Sequence, residues 1–285
     1  MRDVSDTPKF DNPPVFETLL GVQFRALPGI RNAHYGLLWE KLRQQGFVNI
    51  EEHPPLIHVL EQQEQQTRAW TWTLSLGDPA PQTLRQWYLS DESSEGQRLI
   101  QVQNDRFIVN WRRKSLQEAQ YPSYDENKQE FKRFYEQFGK FIEDEALGVI
   151  AIDQAEMVYI NQIPFTDDCD TALEMMAKCF PAWVPGKNEQ YKFGTNTSAS
   201  NNLSFWIDEL AGKLYIETRS VTVRDTKEKV LDLRLTTRGR PQNGDNKSIG
   251  LEQLMRWFDL SHYIITSSFA NVTSKSMHEI WRRKK

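Results

Sequence analysis

The stretch Asn12-Pro13-Pro14-Val15-Phe16-Glu17-Thr18-Leu19-Leu20-Gly21-Val22-Gln23-Phe24-Arg25-Ala26-Leu27 decides the fold. Two prolines open it, favouring extended backbone and keeping a helix from running in. Behind them Phe16, Leu20, Val22, Phe24 and Ala26 hold even positions, with Thr18 the one polar interruption. Glu17, Gln23 and Arg25 hold odd positions. A period of two predicts a long strand over 15–27 with one buried and one polar face. Pro28-Gly29 ends it.

A helix over 31–45 follows, with Leu37, Leu38, Trp39 and Leu42 apolar and Gly46 as its C′ residue. From 54 to 114 the pattern is β, with strands expected over 56–62, 68–76, 85–90, 98–103 and 106–113. In the last, Phe107, Val109 and Trp111 alternate with Arg106, Asn110 and Arg112. Asn104-Asp105 reads as a two-residue hairpin turn, because both residue types tolerate positive φ. Phe131, Phe134, Tyr135, Phe138, Phe141 and Ile142 recur at three and four, predicting a helix over 124–145 that packs an aromatic stripe on the sheet.

A second cycle begins at 149–165, where Met157, Val158, Tyr159, Ile160 and Ile163 echo the opening strand. A short helix over 170–179 follows, then strands over 203–208, 213–223 and 230–237. A long helix after Ser248, its expected N-cap, carries Leu254, Phe258, His262, Ile265 and Phe269. A last helical turn, capped by Thr273 or Ser274, carries Trp281. Each half thus reads strand, helix, antiparallel strands, long helix. The fold class expected is α+β. Two pseudo-repeats of β-α-β(n)-α would form a curved antiparallel sheet with long helices on one face. The divisions are 1–11 as a mobile leader, 12–147 as the first repeat and 148–285 as the second. By topology, this duplicated order is similar to the TATA-binding-protein-like fold.

The chain has 285 residues with nine Trp and fifteen Phe, enough for a sizeable core. A net charge of −4 argues against a wholesale nucleic-acid binder. Residues 1–7 are polar and do not read as a signal peptide, and no apolar run approaches the ~18 residues of a membrane span. The expected location is the cytoplasm, with no membrane partner. Cys169 and Cys179, ten apart, fit no common zinc spacing and read as structural thiols.

Chemistry is sparse. There is no Gly-x-Ser-x-Gly elbow, and Gly239 to Gly244 lacks the Lys-Ser/Thr pair of a phosphate loop. Asp167-Asp168-x-Asp170 precedes a helix, where acids cap and complement the dipole. His262 falls at core spacing and reads as a packed or hydrogen-bonded histidine. No metal, cofactor or catalytic residue is assigned, and the balance leans against an enzyme.

Pro13-Pro14-Val15-x-Glu17 followed by Val22-x-Phe24, the segment Tyr159-Ile160-Asn161-x-Ile163, and the ending with His262, Phe269, Thr273 and Trp281 resemble a sporadically distributed, uncharacterised bacterial protein family. The resemblance implies no activity. The family's patchy distribution resembles that of accessory genes, including phage-defence and toxin–antitoxin loci, and implies a partner-dependent role.

Strand alternation sends Gln23, Arg25, Thr71, Thr73, Asn110, Arg112, Arg234 and Thr236 to the face opposite the helices, and Arg238 and Arg240 continue that run. Such a surface of amides, hydroxyls and guanidiniums, expected to lack paired carboxylates, suits recognition over catalysis. These ten residues are the expected binding set, with the polar loops and the Trp281 helix as further contact surfaces. The expected function is a non-enzymatic protein-binding or assembly subunit of a bacterial accessory system. Its partner would be a protein encoded by a neighbouring gene, and a homo-oligomer is compatible. The alternative is a nucleic-acid-binding module using the same face.

Overall fold

The computed structural model describes residues 7–63, 84–91, 96–113, 121–184, 196–224, 226–241 and 249–284. Among them the chain forms nine strands and five helices, an α+β fold. The first half contains β1 (Val15–Phe24), α1 (Asn32–Arg43), β2 (Asn49–His53), β3 (Arg85–Leu89), β4 (Gln97–Gln103), β5 (Arg106–Arg112) and α2 (Tyr124–Asp144). The second contains β6 (Ile152–Pro164), α3 (Ala172–Cys179), β7 (Ser200–Ile207), β8 (Gly212–Thr222), β9 (Lys229–Gly239), α4 (Leu251–Val272) and α5 (Lys275–Ile280).

All nine strands join one antiparallel sheet in the order β2-β3-β4-β5-β1-β6-β9-β8-β7. The opening strand is therefore central. It pairs with β5 on one side and β6 on the other, with Leu20 opposite both Val109 and Met157. Its even residues Leu20, Val22 and Phe24 are buried, as the period of two predicts.

The helices cover that face. Ser123 caps α2 in a capping box with Glu126, and the helix buries Phe131, Phe134, Phe138, Phe141 and Ile142. Phe138 lies 6.1 Å from Phe24 and stacks on Phe107 at 4.9 Å. Helix α4 buries Leu254, Trp257, Phe258, Ile264 and Ile265 beside it. Among the described residues, no helix is long and apolar enough to cross a membrane.

Several expectations change. The strand over 68–76, with Thr71 and Thr73, lies outside the described residues, as does Ser248; the N-cap of α4 is Gly250. Thr171, not an aspartate, caps α3, with Glu174 completing the box, while Asp168 pairs with Lys178 at 2.7 Å. The Asn104-Asp105 turn forms without positive φ at either residue. Both of its carbonyls receive backbone N–H groups from the end of β1 and beyond, Phe24 and Leu27. Trp281 is buried rather than offered as a contact surface, packing on Phe269 at 5.0 Å. Phe10, within the expected leader, bridges to Arg283 and meets Phe269 edge-on at 5.3 Å. Finally, residues 56–62 form no strand, and β2 lies just before them.

Candidate functional site

The face opposite the helices carries the odd residues of β1 and their cross-strand neighbours. Glu17 lies opposite Arg112 and Ile160, Gly21 opposite Ile108 and Glu156, and Gln23 opposite Arg106 and Gln154. Beyond them stand Gln101 and Gln103 on β4, Trp87 on β3, and Arg234, Thr236 and Arg238 on β9. Side chains at paired positions share a face, so the pleat alone gathers this set.

A strap crosses the face. Residues 54–62 run from above β4 to above β8 and β9, and their backbone is held by glutamine side chains. Leu56 N–H donates to Gln103 Oε1 at 2.8 Å, and Gln103 Nε2 donates to Leu56 O at 3.0 Å. Gln23 Nε2 donates to Val59 O at 3.0 Å, and Val59 N–H returns to Gln23 Oε1 at 3.4 Å. Gln154 Nε2 reaches Val59 O at 2.8 Å, and Glu61 N–H donates to Gln154 Oε1 at 2.9 Å. Each amide supplies one donor and one acceptor, and so stands in for a neighbouring strand's peptide. This is why a stretch expected as a strand over 56–62 joins no ladder.

The strap's far end is pinned by charge. Glu61 accepts from Tyr215 Oη at 2.7 Å and Arg238 at 3.2 Å, and lies 3.5 Å from Lys213 Nζ. Arg238 also donates to Glu156 at 2.8 Å. Burial opposes charge on Arg238, but Glu156 and Glu61 more than offset it and raise its pKa. At the near end His58 Nδ1 lies 3.0 Å from Asp105.

Beside the strap lies a cavity of about 370 Å³. Its floor is apolar, from Leu19, Leu99, Ile108, Val158 and Ile160. Around it stand Arg85, Arg106, Arg112, Arg234 and Arg238, against Glu17 and Glu156. Two carboxylates are thus present on the face, and each is engaged by a donor of its own. Burial raises the Glu17 carboxyl above its usual value, while the Asn110 amide, donating at 2.6 Å, and the charges of Arg112 and Arg234 oppose the rise. Arg106 is only 7% exposed; burial lowers its pKa, countered by Glu156 and Asp105. Burial also lowers the pKa of Arg85, and the like charge of Arg106 adds to it. Three buried donors here, Arg85 Nε, Trp87 Nε1 and Arg106 Nε, have no hydrogen-bond partner among the described residues.

The structure brings six of the ten expected residues onto this face: Gln23, Asn110, Arg112, Arg234, Thr236 and Arg238. Gln23 and Asn110 are buried and bonded within the sheet, and Arg112 donates to Gln97. Arg234 is exposed. Arg25 and Arg240 sit exposed just past the ends of β1 and β9. Sequence reasoning missed Arg85, Trp87, Gln101, Gln103, Gln154 and Glu156 as site residues, and also Glu17 and Arg106, although strand parity marks the last two.

The helix-covered side holds a second polar cluster. Tyr159 Oη lies 2.9 Å from Tyr121 Oη and 3.0 Å from His262 Nδ1, and His262 stacks on Tyr124 at 4.0 Å. Tyr124 Oη donates to Asp259, which also pairs with Lys128 at 2.5 Å. Burial lowers the His262 pKa to about 4, so the ring is neutral and joins α4 to β6. Among the described residues, no group of three or more His, Cys, Asp or Glu side chains could hold a metal ion.

No family model, curated protein or solved structure matches the chain.

Proposed function

We propose that this chain is a cytoplasmic recognition protein, a binding and assembly subunit of a bacterial accessory system, with the strapped sheet face as its working surface. The observation that carries this reading is the exposed apolar side chains of the strap. Ile57 is 82% exposed, with Leu60 and Val59 beside it at 51% and 44%, on backbone fixed by six amide hydrogen bonds. Apolar groups grouped on a surface mark contact sites. Groups already held in place lose less conformational freedom when a partner docks.

The resemblance to a patchily distributed bacterial family supports the accessory setting, phage defence or toxin–antitoxin, and a protein partner from a neighbouring gene. The topology supports reading the halves as related β-α-β(n)-α units in the manner of the TATA-binding-protein-like fold: β1 and β6 are central, and each is followed by a helix, antiparallel strands and a long helix.

The test is co-expression with the neighbouring gene's product. A complex should co-elute with the wild-type chain and be lost with Ile57→Asp, while circular dichroism stays unchanged. A chain that elutes alone in every pairing, or a complex indifferent to Ile57→Asp, would overturn the reading. The exposed Arg234 and the guanidinium excess favour a second reading, a nucleic-acid backbone on the same face. It requires a salt-dependent mobility shift that Arg234→Glu weakens.

A further inference from the structure

We propose that the cavity beside the strap binds a small organic anion, a carboxylate or phosphomonoester with an apolar body, whose acidic group is received by Arg85, Trp87 and Arg106. The first argument is unmet hydrogen bonding. Arg85 Nε, Trp87 Nε1 and Arg106 Nε are buried donors without partners, on three residues that line one cavity. Buried donors are nearly always satisfied, and a cluster of exceptions calls for a missing acceptor.

The second is charge. Five guanidiniums line the cavity against two carboxylates. Glu156 is held by Arg238, and Glu17 is held by Asn110. Among the described residues Arg85 has only neutral partners, donating to Gln101 at 3.1 Å and lying over the Trp87 ring at 5.3 Å. An anion here would meet charge-assisted donors and separate two like charges, Arg85 and Arg106.

The third is shape and lining. A volume of about 370 Å³ is at the small-molecule end of ligand pockets. The floor of Leu19, Leu99, Ile108, Val158 and Ile160 asks for an apolar body, not a bare ion. The ring of Trp87 is already stacked on His53 at 3.8 Å, so Trp87 offers its N–H and not its face. Ile57 and Val59 of the strap also border this cavity, so the two readings are told apart by readout: Arg85→Gln and Trp87→Phe report on the anion, and co-elution reports on the partner.

The experiment is isothermal titration of the full chain with octanoate, octyl phosphate, inorganic phosphate and octylammonium. One of the two octyl anions should bind one to one, and which one binds distinguishes a carboxylate from a phosphate ester. Octylammonium should not bind, and inorganic phosphate should bind at least tenfold more weakly. Trp87→Phe removes one N–H and keeps an aromatic ring against His53; it should weaken the anion about three- to tenfold. Arg85→Gln should weaken it tenfold or more. Both variants should retain the wild-type unfolding midpoint. The proposal is overturned if octylammonium binds as well as the anions, if neither octyl anion binds, or if affinity is unchanged in both variants. Equal binding of inorganic phosphate would overturn the apolar body.

Discussion

Replacing Gln23 with leucine removes one of the three amides that hold the strap while keeping a side chain of similar length. Two neutral hydrogen bonds go, at 3.0 and 3.4 Å to Val59, together with the charge-assisted bond from Arg106 at 2.5 Å. The neutral pair contributes about 1.5 kcal/mol, its longer member least. The charged bond joins β5 to β1 whether the strap is open or closed, so it does not enter the strap equilibrium, and Arg106 still donates to Ile57 O at 3.0 Å. Val59 O also keeps Gln154 as a donor. A cost of about 1.5 kcal/mol for strap closure corresponds to roughly tenfold more frequent opening. Native-state hydrogen exchange reads this directly, since local opening sets the exchange rate. The Val59 amide should exchange roughly tenfold faster, with smaller accelerations at Leu56 and Glu61, while amides of β5 and β6 hold their protection. A Val59 rate within twofold of wild type would refute the reasoning. So would an equal acceleration throughout the sheet, because the loss would then be global.

Three further outcomes follow from burial and backbone approach. His262 has a folded pKa of about 4, below the ~6.5 of an unfolded histidine, so its contribution is complete above pH 6.5 and is lost as the pH falls toward 4. The loss is at most about 3 kcal/mol, and His262→Phe should flatten the urea midpoint across that window; an unchanged slope would count against a buried neutral ring. Gly212→Ala would set a Cβ 2.1 Å from Arg238 O, forcing β8 and β9 apart at a cost of about 2–3 kcal/mol or more, visible as a lowered unfolding midpoint. The Cys179 thiol is buried and pushed up to about 12. At pH 8 a thiol reagent should therefore modify Cys169 first and Cys179 only on unfolding, and equal native rates would contradict this.

The opening strand, both long helices and the pairing Asn104-Asp105 hairpin were legible because each buries one face, and burial imprints a period on the sequence. Strand β2 was not, because Asn49-Ile50-Glu51-Glu52-His53 is an edge with little to bury. The strap was misread for the opposite reason. It is rich in apolar residues as a strand is, but its partners are Gln23, Gln103 and Gln154, far away in sequence, and a glutamine carries no mark of what it will bond. The site was half legible. Parity sent Gln23, Asn110, Arg112, Arg234, Thr236 and Arg238 to one face, and applied evenly it would have added Glu17 and Arg106. It could not show that a loop crosses the face, nor that Arg85 and Trp87 would be left with unmatched donors.

The pairing of β1 with β6 also sets an order of events during synthesis. Strand β1 ends at Phe24, and its second neighbour begins only at Ile152. At ~5–20 residues per second, the ribosome needs roughly 6–25 s to make the intervening chain. Once β5 is complete at Arg112, and until β6 emerges, the first half has a sheet with an open edge along Val15–Phe24, the side on which the second half will later zip. Unpaired edges template association with other chains. The strand that becomes the most protected line of the finished sheet is the nascent chain's sticky margin, and slower translation across 113–151 would lengthen its exposure.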